Sequence, residues 1–138
     1  MRPYFEEPGA PLMSDELIGA LRDAGVDNLD TYEAVIREVR TGREYKNYKA
    51  VNIVGIISGA DMTKSDYTDS GLSDEASGDL WFDKLVLDET KLAGNLFFRL
   101  AENVAIVLAS RRVVDVVRAA AIPGGEYLEF APPEDYSG

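Results

Sequence analysis

The sequence has no cysteine and no histidine. Without cysteine there are no disulfides, and the chain says nothing about a redox compartment. Without histidine as well, the usual zinc ligands are gone and only oxygen-ligand metal sites remain. Ser-His-Asp and Cys-His catalysis are excluded, because each needs an imidazole to take the proton. Ser-Lys pairs, paired carboxylates or a tyrosine stay open. No apolar run approaches the roughly 18 residues of a membrane span. The opening "MRPYFEEPGAPLM" has two glutamates and no apolar h-region, so it does not read as a secretory signal, and a cytoplasmic protein is expected. Positive charge is scarce. Fourteen Lys and Arg against 25 Asp and Glu leave a net charge of −11. Such a chain repels nucleic acid and anionic membranes, so neither is an expected partner, whereas a basic protein is attracted.

What is present is enough for a core. A chain of 138 residues, 46% of them apolar, buries about two thirds of the surface its unfolded form exposes, and needs no metal or disulfide staple. Residues 1–11 hold three prolines and read as an extended arm; residues 12–138 read as one domain. "SDELIGALRDAG" predicts a helix: Ser14 is a good N-cap, Asp15 and Glu16 suit the first turn, and Gly25 suits the left-handed exit. "NLDTYEAVIREV" fits strand or helix on periodicity, and the turn-like "RTGRE" after it favours a strand. "YKNYKAVNIVGIIS" predicts a central strand over 45–58, with Gly55 as a bulge or a close approach. Further strands are expected at "LWFDKLVL", at "LFFRL" and "VAIVLA" joined by "AEN", and at "EYLEFAP". "DETKLAGN" reads as a turn, and "SRRVVDVVRAAA" as a second amphipathic helix stopped near Pro123. The class is α+β: a mainly antiparallel sheet of about six strands with two helices packed on it. At an offset of 96 the two helices align, Ser14 with Ser110 and Leu21 with Val117. Either capped helices of one length resemble each other, or the halves are a duplication whose helices sit equivalently on the sheet.

The apolar run "AVNIVGIISGA" stops abruptly at Asp61. From Asp61 to Glu89 nine acids stand against Lys64 and Lys84, a local charge of −7. Either this is a solvated loop region or a surface that steers and docks a basic protein. The candidate partner-binding residues are Asp61, Lys64, Ser65, Asp66, Asp69, Asp74, Glu75 and Asp79. A Ser-Lys pair of Ser58 or Ser65 with Lys64 is disfavoured, because Asp61 and Asp66 would hold the lysine charged. Asp61 is expected to accept the N–H of Thr63 or Lys64 in an Asx turn. The carboxylates lack the spacing of a calcium loop, and "GIISGADMTKS" lacks that of a phosphate loop. Arg99, a charge within an apolar strand, is expected to pair with Asp88 or Glu102. Trp81, Phe97, Phe98, Tyr127 and Phe130 read as core. No cofactor, metal or catalytic residue is expected.

Three stretches, "AGVDNLDTYEAVIREVRTGREYKNYKAVNIVGIISGADMTKSDY", "FDKLVLDETKLAGNLFFRLAENVAIVLASRRVVDVVRAA" and "LEFAPPEDYSG", resemble the myxobacterial branch of immunity family eleven of polymorphic toxin systems, formerly a domain of unknown function. The resemblance covers residues 12–138. Its most specific parts are the "Y…VNIVG…AD…S" strand with its polar exit, the "LVLDETK…FRLAE…S" block and the "F-PPE" ending. It implies a small non-enzymatic protein that binds and silences a cognate toxin, and it brings no catalytic residues. The function expected is therefore a protein that neutralises its toxin by occlusion through an acidic face. The alternatives are a small enzyme using carboxylates or Lys64, and a homodimer joined at a strand edge.

Overall fold

The computed structural model describes residues 2–6, 10–68, 80–92 and 94–133. Contacts divide the chain into two units, each built from two stretches: Met1–Val54 with Arg111–Glu129, and Gly55–Ser110 with Phe130–Gly138.

The first unit carries a four-stranded antiparallel sheet of β1 (Tyr4–Phe5), β2 (Leu12–Ser14), β3 (Leu29–Arg37) and β4 (Glu44–Ile53), in the order β1-β2-β4-β3. Within the stretch read as an arm, Tyr4–Phe5 supply the outer strand β1, and Pro3 and Pro11 are fully buried. Periodicity left "LDTYEAVIR" open; pairing with β4 from Leu29↔Ile53 to Arg37↔Glu44 makes it a strand. Gly42, at φ +72°, turns the hairpin.

Helix α1 (Asp15–Asp23) follows β2 directly. The Ser14 hydroxyl accepts the Leu17 N–H at 3.1 Å, a cap worth about 1 kcal/mol over alanine. Its far end is a Schellman closure: the N–H groups of Gly25 and Val26 donate to the Arg22 and Leu21 carbonyls, with Gly25 at φ +103°. Leu17, Ile18 and Leu21 are buried as α1 lies on β2 and β4. Lys49 of β4 reaches Asp15 at 2.8 Å, and that hydrogen bond raises the lysine's pKa. Helix α3 (Arg111–Ala120) buries Val113 and Val117 and packs on α1, and Arg112 Nε donates to the Ala24 carbonyl at 2.8 Å.

The aligned helices match even in their exits, since Gly25 and Ala121 both have positive φ. Beyond that they part: α1 lies on the sheet whereas α3 lies on α1, and α1 leads into β3. After α3 comes a 3-10 turn, Gly125–Tyr127, where "EYLEFAP" predicted a strand. Pro123 and the left-handed Gly124 start that turn, and the N–H groups of Gly125, Tyr127 and Leu128 are spent on carbonyls three residues back.

The strand expected over 45–58 is broken. β4 ends at Ile53, and β5 (Ile56–Ile57) belongs to the second unit. Asn28 ties Val54 down at both its N–H and its carbonyl, and the Gly55 carbonyl then accepts the Arg99 N–H. Gly55 is therefore where the chain changes sheets.

In the second unit β5 pairs parallel with β8 (Phe97–Leu100), which pairs antiparallel with β9 (Asn103–Ala109). β6 (Asp66–Thr68) pairs antiparallel with β7 (Trp81–Lys84). A one-turn helix α2 (Glu89–Leu92) lies within the segment read as a turn. Ala60, Leu80, Phe82, Leu85, Leu100 and Ile106 form the core. The fold is α+β with mainly antiparallel pairing, and the nine strands among the described residues are shared among sheets of four, three and two. No helix among the described residues is long and apolar enough to cross a membrane.

Candidate binding surface

The acidic segment begins where the chain leaves β5, and the exit is fixed by a buried carboxylate. Glu102, in the β8–β9 connection, is 5% exposed. Its Oε1 accepts the N–H groups of Gly59 (2.9 Å) and Ala60 (2.7 Å), and its Oε2 accepts the Ser58 hydroxyl at 2.7 Å. The Glu102 carbonyl takes the Leu80 N–H at 2.9 Å, and Asn103 Nδ2 donates to the Leu80 carbonyl. Three donors compensate the burial of this charge without a cation.

That arrangement corrects the ion pair expected of Arg99. Among the described residues no salt bridge joins it to Asp88 or Glu102. Arg99 Nη1 instead donates to the Val104 carbonyl at 2.9 Å across the hairpin. Glu102 is committed to the 58–60 backbone, and Asp88 to its own turn. In an apolar strand a guanidinium reaches a main-chain carbonyl nearby more readily than a carboxylate that other donors already hold.

Asp61 and Asp88 flank an isolated antiparallel bridge between Ala60 and Leu87. The Asp61 N–H donates to the Val86 carbonyl at 2.7 Å, and the Asp88 N–H to the Gly59 carbonyl at 2.8 Å. Each carboxylate then turns its own chain. Asp61 Oδ1 accepts the Thr63 hydroxyl (2.7 Å), the Thr63 N–H (3.1 Å) and the Lys64 N–H (3.2 Å), the Asx turn expected. Asp88 Oδ1 accepts the Thr90 hydroxyl (2.6 Å) and N–H (3.0 Å). The threonine hydroxyls lead in holding both aspartates below the ordinary value, with backbone N–H groups adding to them. These two turns are one motif used twice, "DMTK" at 61–64 and "DETK" at 88–91. The repeat is legible in the sequence, though an offset of 96 does not find it.

Ser65, expected at a partner surface, is buried. Its hydroxyl donates to the Val86 carbonyl at 3.1 Å and accepts the Val86 N–H at 2.9 Å. A small hydroxyl following an Asx turn can replace a backbone ladder partner, and Ser65 does so here. Lys64 and Asp66 are exposed as expected, Asp66 opposite Lys84 in the β6–β7 ladder. Asp69, Asp74, Glu75 and Asp79 lie outside the described residues.

Phe97 and Phe98 are core as read, and Phe130 is half-buried. Tyr127 is 56% exposed, under the Arg2 guanidinium. Trp81 is 57% exposed. Along "LWFDKL" Leu80, Phe82 and Leu85 point into the core, leaving Trp81, Asp83 and Lys84 outside. Sequence reasoning counted Trp81 as core because it counted aromatics by type; its place between Leu80 and Phe82 in a period-two strand was the signal. The surface therefore sets an indole beside Asp83, opposite Thr68, on a strand whose inner side is locked by Phe82. No protein-family model and no curated protein matches the chain.

Proposed function

We propose that this is an immunity protein, acting in the cytoplasm, that binds and neutralises a cognate polymorphic toxin by occlusion. The contact surface is formed by β6, β7 and the two Asp-x-Thr-Lys turns, and the toxin presents a basic face to it. The observation that carries this reading is Trp81: a large indole left outside a well-packed core, beside Asp83 and on the same two-stranded ladder as the Asp66–Lys84 pair. Burying such an aromatic at a partner is the kind of contact that dominates interface energetics. The net charge of −11 speeds encounter with a basic partner. The resemblance of residues 12–138 to immunity family eleven supports the same reading. An interface of this sort buries on the order of 1,600 Å² in total.

The test is co-expression and co-purification with the product of the adjacent gene, wild type against a variant with Asp66, Asp83 and Glu89 all changed to lysine. A stable wild-type complex that rescues growth, and a variant that folds but associates at least about tenfold more slowly at low salt, are expected. No complex would remove the toxin reading, and an unaffected variant would remove this surface from it.

A further inference from the structure

Among the described residues β3 has a neighbour on one side only. The Asn28 carbonyl accepts the Val54 N–H, and the Glu38 N–H donates to the Arg43 carbonyl, each at 2.8 Å. Even-numbered positions therefore bond inward to β4, and Leu29, Thr31, Glu33, Val35 and Arg37 turn their N–H and C=O groups to the open edge. The bulge between Ala34 and Ile36 adds its extra residue to β4, so this alternation runs unbroken along all nine residues of β3. The strand contains neither proline nor a bulge of its own; of the usual ways of blunting an edge it has charges, Asp30, Glu33 and Arg37, which block pairing unless they are matched across it. Tyr32 and Val35 are 58% and 57% exposed on it.

An antiparallel strand that meets its own copy about a two-fold axis pairs each residue with one whose number completes a fixed even sum. Centring on Glu33 sets the two glutamates against each other. Centring on Ala34 sets Asp30 against Glu38. Centring on Val35 sets Glu33 opposite Arg37 of the second copy, twice over, with Ala34 opposite Ile36. Only this register brings Glu33 and Arg37 together. Lys49 already lies 3.9 Å from Glu33 on its other side, so the row Lys49, Glu33, Arg37 of the second copy alternates in sign across the joint.

We propose that β3 pairs antiparallel with β3 of a second copy of this chain about a two-fold axis at Val35, joining the two four-stranded sheets into one. The edge lies in the first unit and the toxin surface above in the second, so the inference is independent of that function.

Sedimentation equilibrium of the full chain over a wide concentration range tests it. The wild type should be a reversible dimer. Glu33→Arg and Arg37→Glu alone should each weaken it about tenfold, since each sets like charges opposite at both ends of the joint, and the two changes together should restore it. The chain lacks cysteine, so Val35→Cys places one thiol per copy at the axis, where a hydrogen-bonded pair has Cα atoms about 5.5 Å apart, within disulfide reach. Mild oxidation should convert that variant, but not Val39→Cys, into a covalent dimer. A monomer at every concentration overturns the proposal. So does a dimer indifferent to both reversals, one the double change fails to restore, or cross-linking through Cys at 39 as fast as at 35.

Discussion

The Glu102 carboxylate accepts the Ala60 N–H at 2.7 Å, so a side chain of the β8–β9 connection holds the last backbone step before the acidic segment. The surface that follows is thus anchored from beneath by a carboxylate that is only 5% exposed.

Removing that carboxylate should be costly. Glu102→Ala strands the Gly59 and Ala60 N–H groups in the interior and should lower stability by about 3 kcal/mol. Glu102→Gln keeps one oxygen for both N–H groups and lets the Ser58 hydroxyl turn to accept from the amide, so about 1 kcal/mol is expected. Urea unfolding of the three proteins, compared at equal slope, measures the gap.

Acid should loosen the two Asp-x-Thr turns. Asp61 and Asp88 have folded pKa values below the ordinary 3.8. Their contribution is complete above that value and disappears as pH falls through the lower folded values. Asp61→Asn with Asp88→Asn keeps an accepting oxygen in each turn but removes both titrations. The double variant should lose less stability between about pH 4 and pH 2 than the wild type does, read as the urea midpoint at each pH.

Ala121 is the one non-glycine with positive φ among the described residues, at +48°. Its aligned counterpart in the other helix is Gly25. Ala121→Gly should remove the Cβ crowding of the left-handed conformation and raise stability by about 1 kcal/mol, whereas Ala121→Val should lower it. Thermal unfolding decides the sign.

Trp81→Ala should separate binding from folding. An indole more than half exposed contributes little to the core, so the urea midpoint should scarcely move. Affinity for the toxin should fall by about 2 kcal/mol, measured by calorimetric titration. A large drop in the midpoint instead would assign the ring to packing.

Local signals were readable from the residues. Ser14 and Gly25 announced both ends of α1, Asp61 announced its turn, and "LFFRLAENVAIVLA" announced the β8–β9 hairpin. Each depends on neighbours within a few positions. What escaped depended on partners remote in sequence. Nothing near Gly55 says that the 45–58 run changes sheets there, because the bonds that divide it come from Asn28 and Arg99. Glu102 was misassigned for the same reason, since its donors lie more than forty residues earlier. Ser65 turned inward to bond the Val86 backbone, 21 positions away, which no local pattern reveals.

Because α3 completes the packing of α1 and Arg112 closes its carboxyl end, the first unit cannot be finished by a ribosome that has made only its opening half. At roughly 5–20 residues per second, α1 waits about 5–20 s for its partner helix to be translated. Throughout that interval α1 lacks the cover α3 gives, which makes the nascent chain a client for a holding chaperone and makes release of a fragment ending before residue 111 an invitation to degradation.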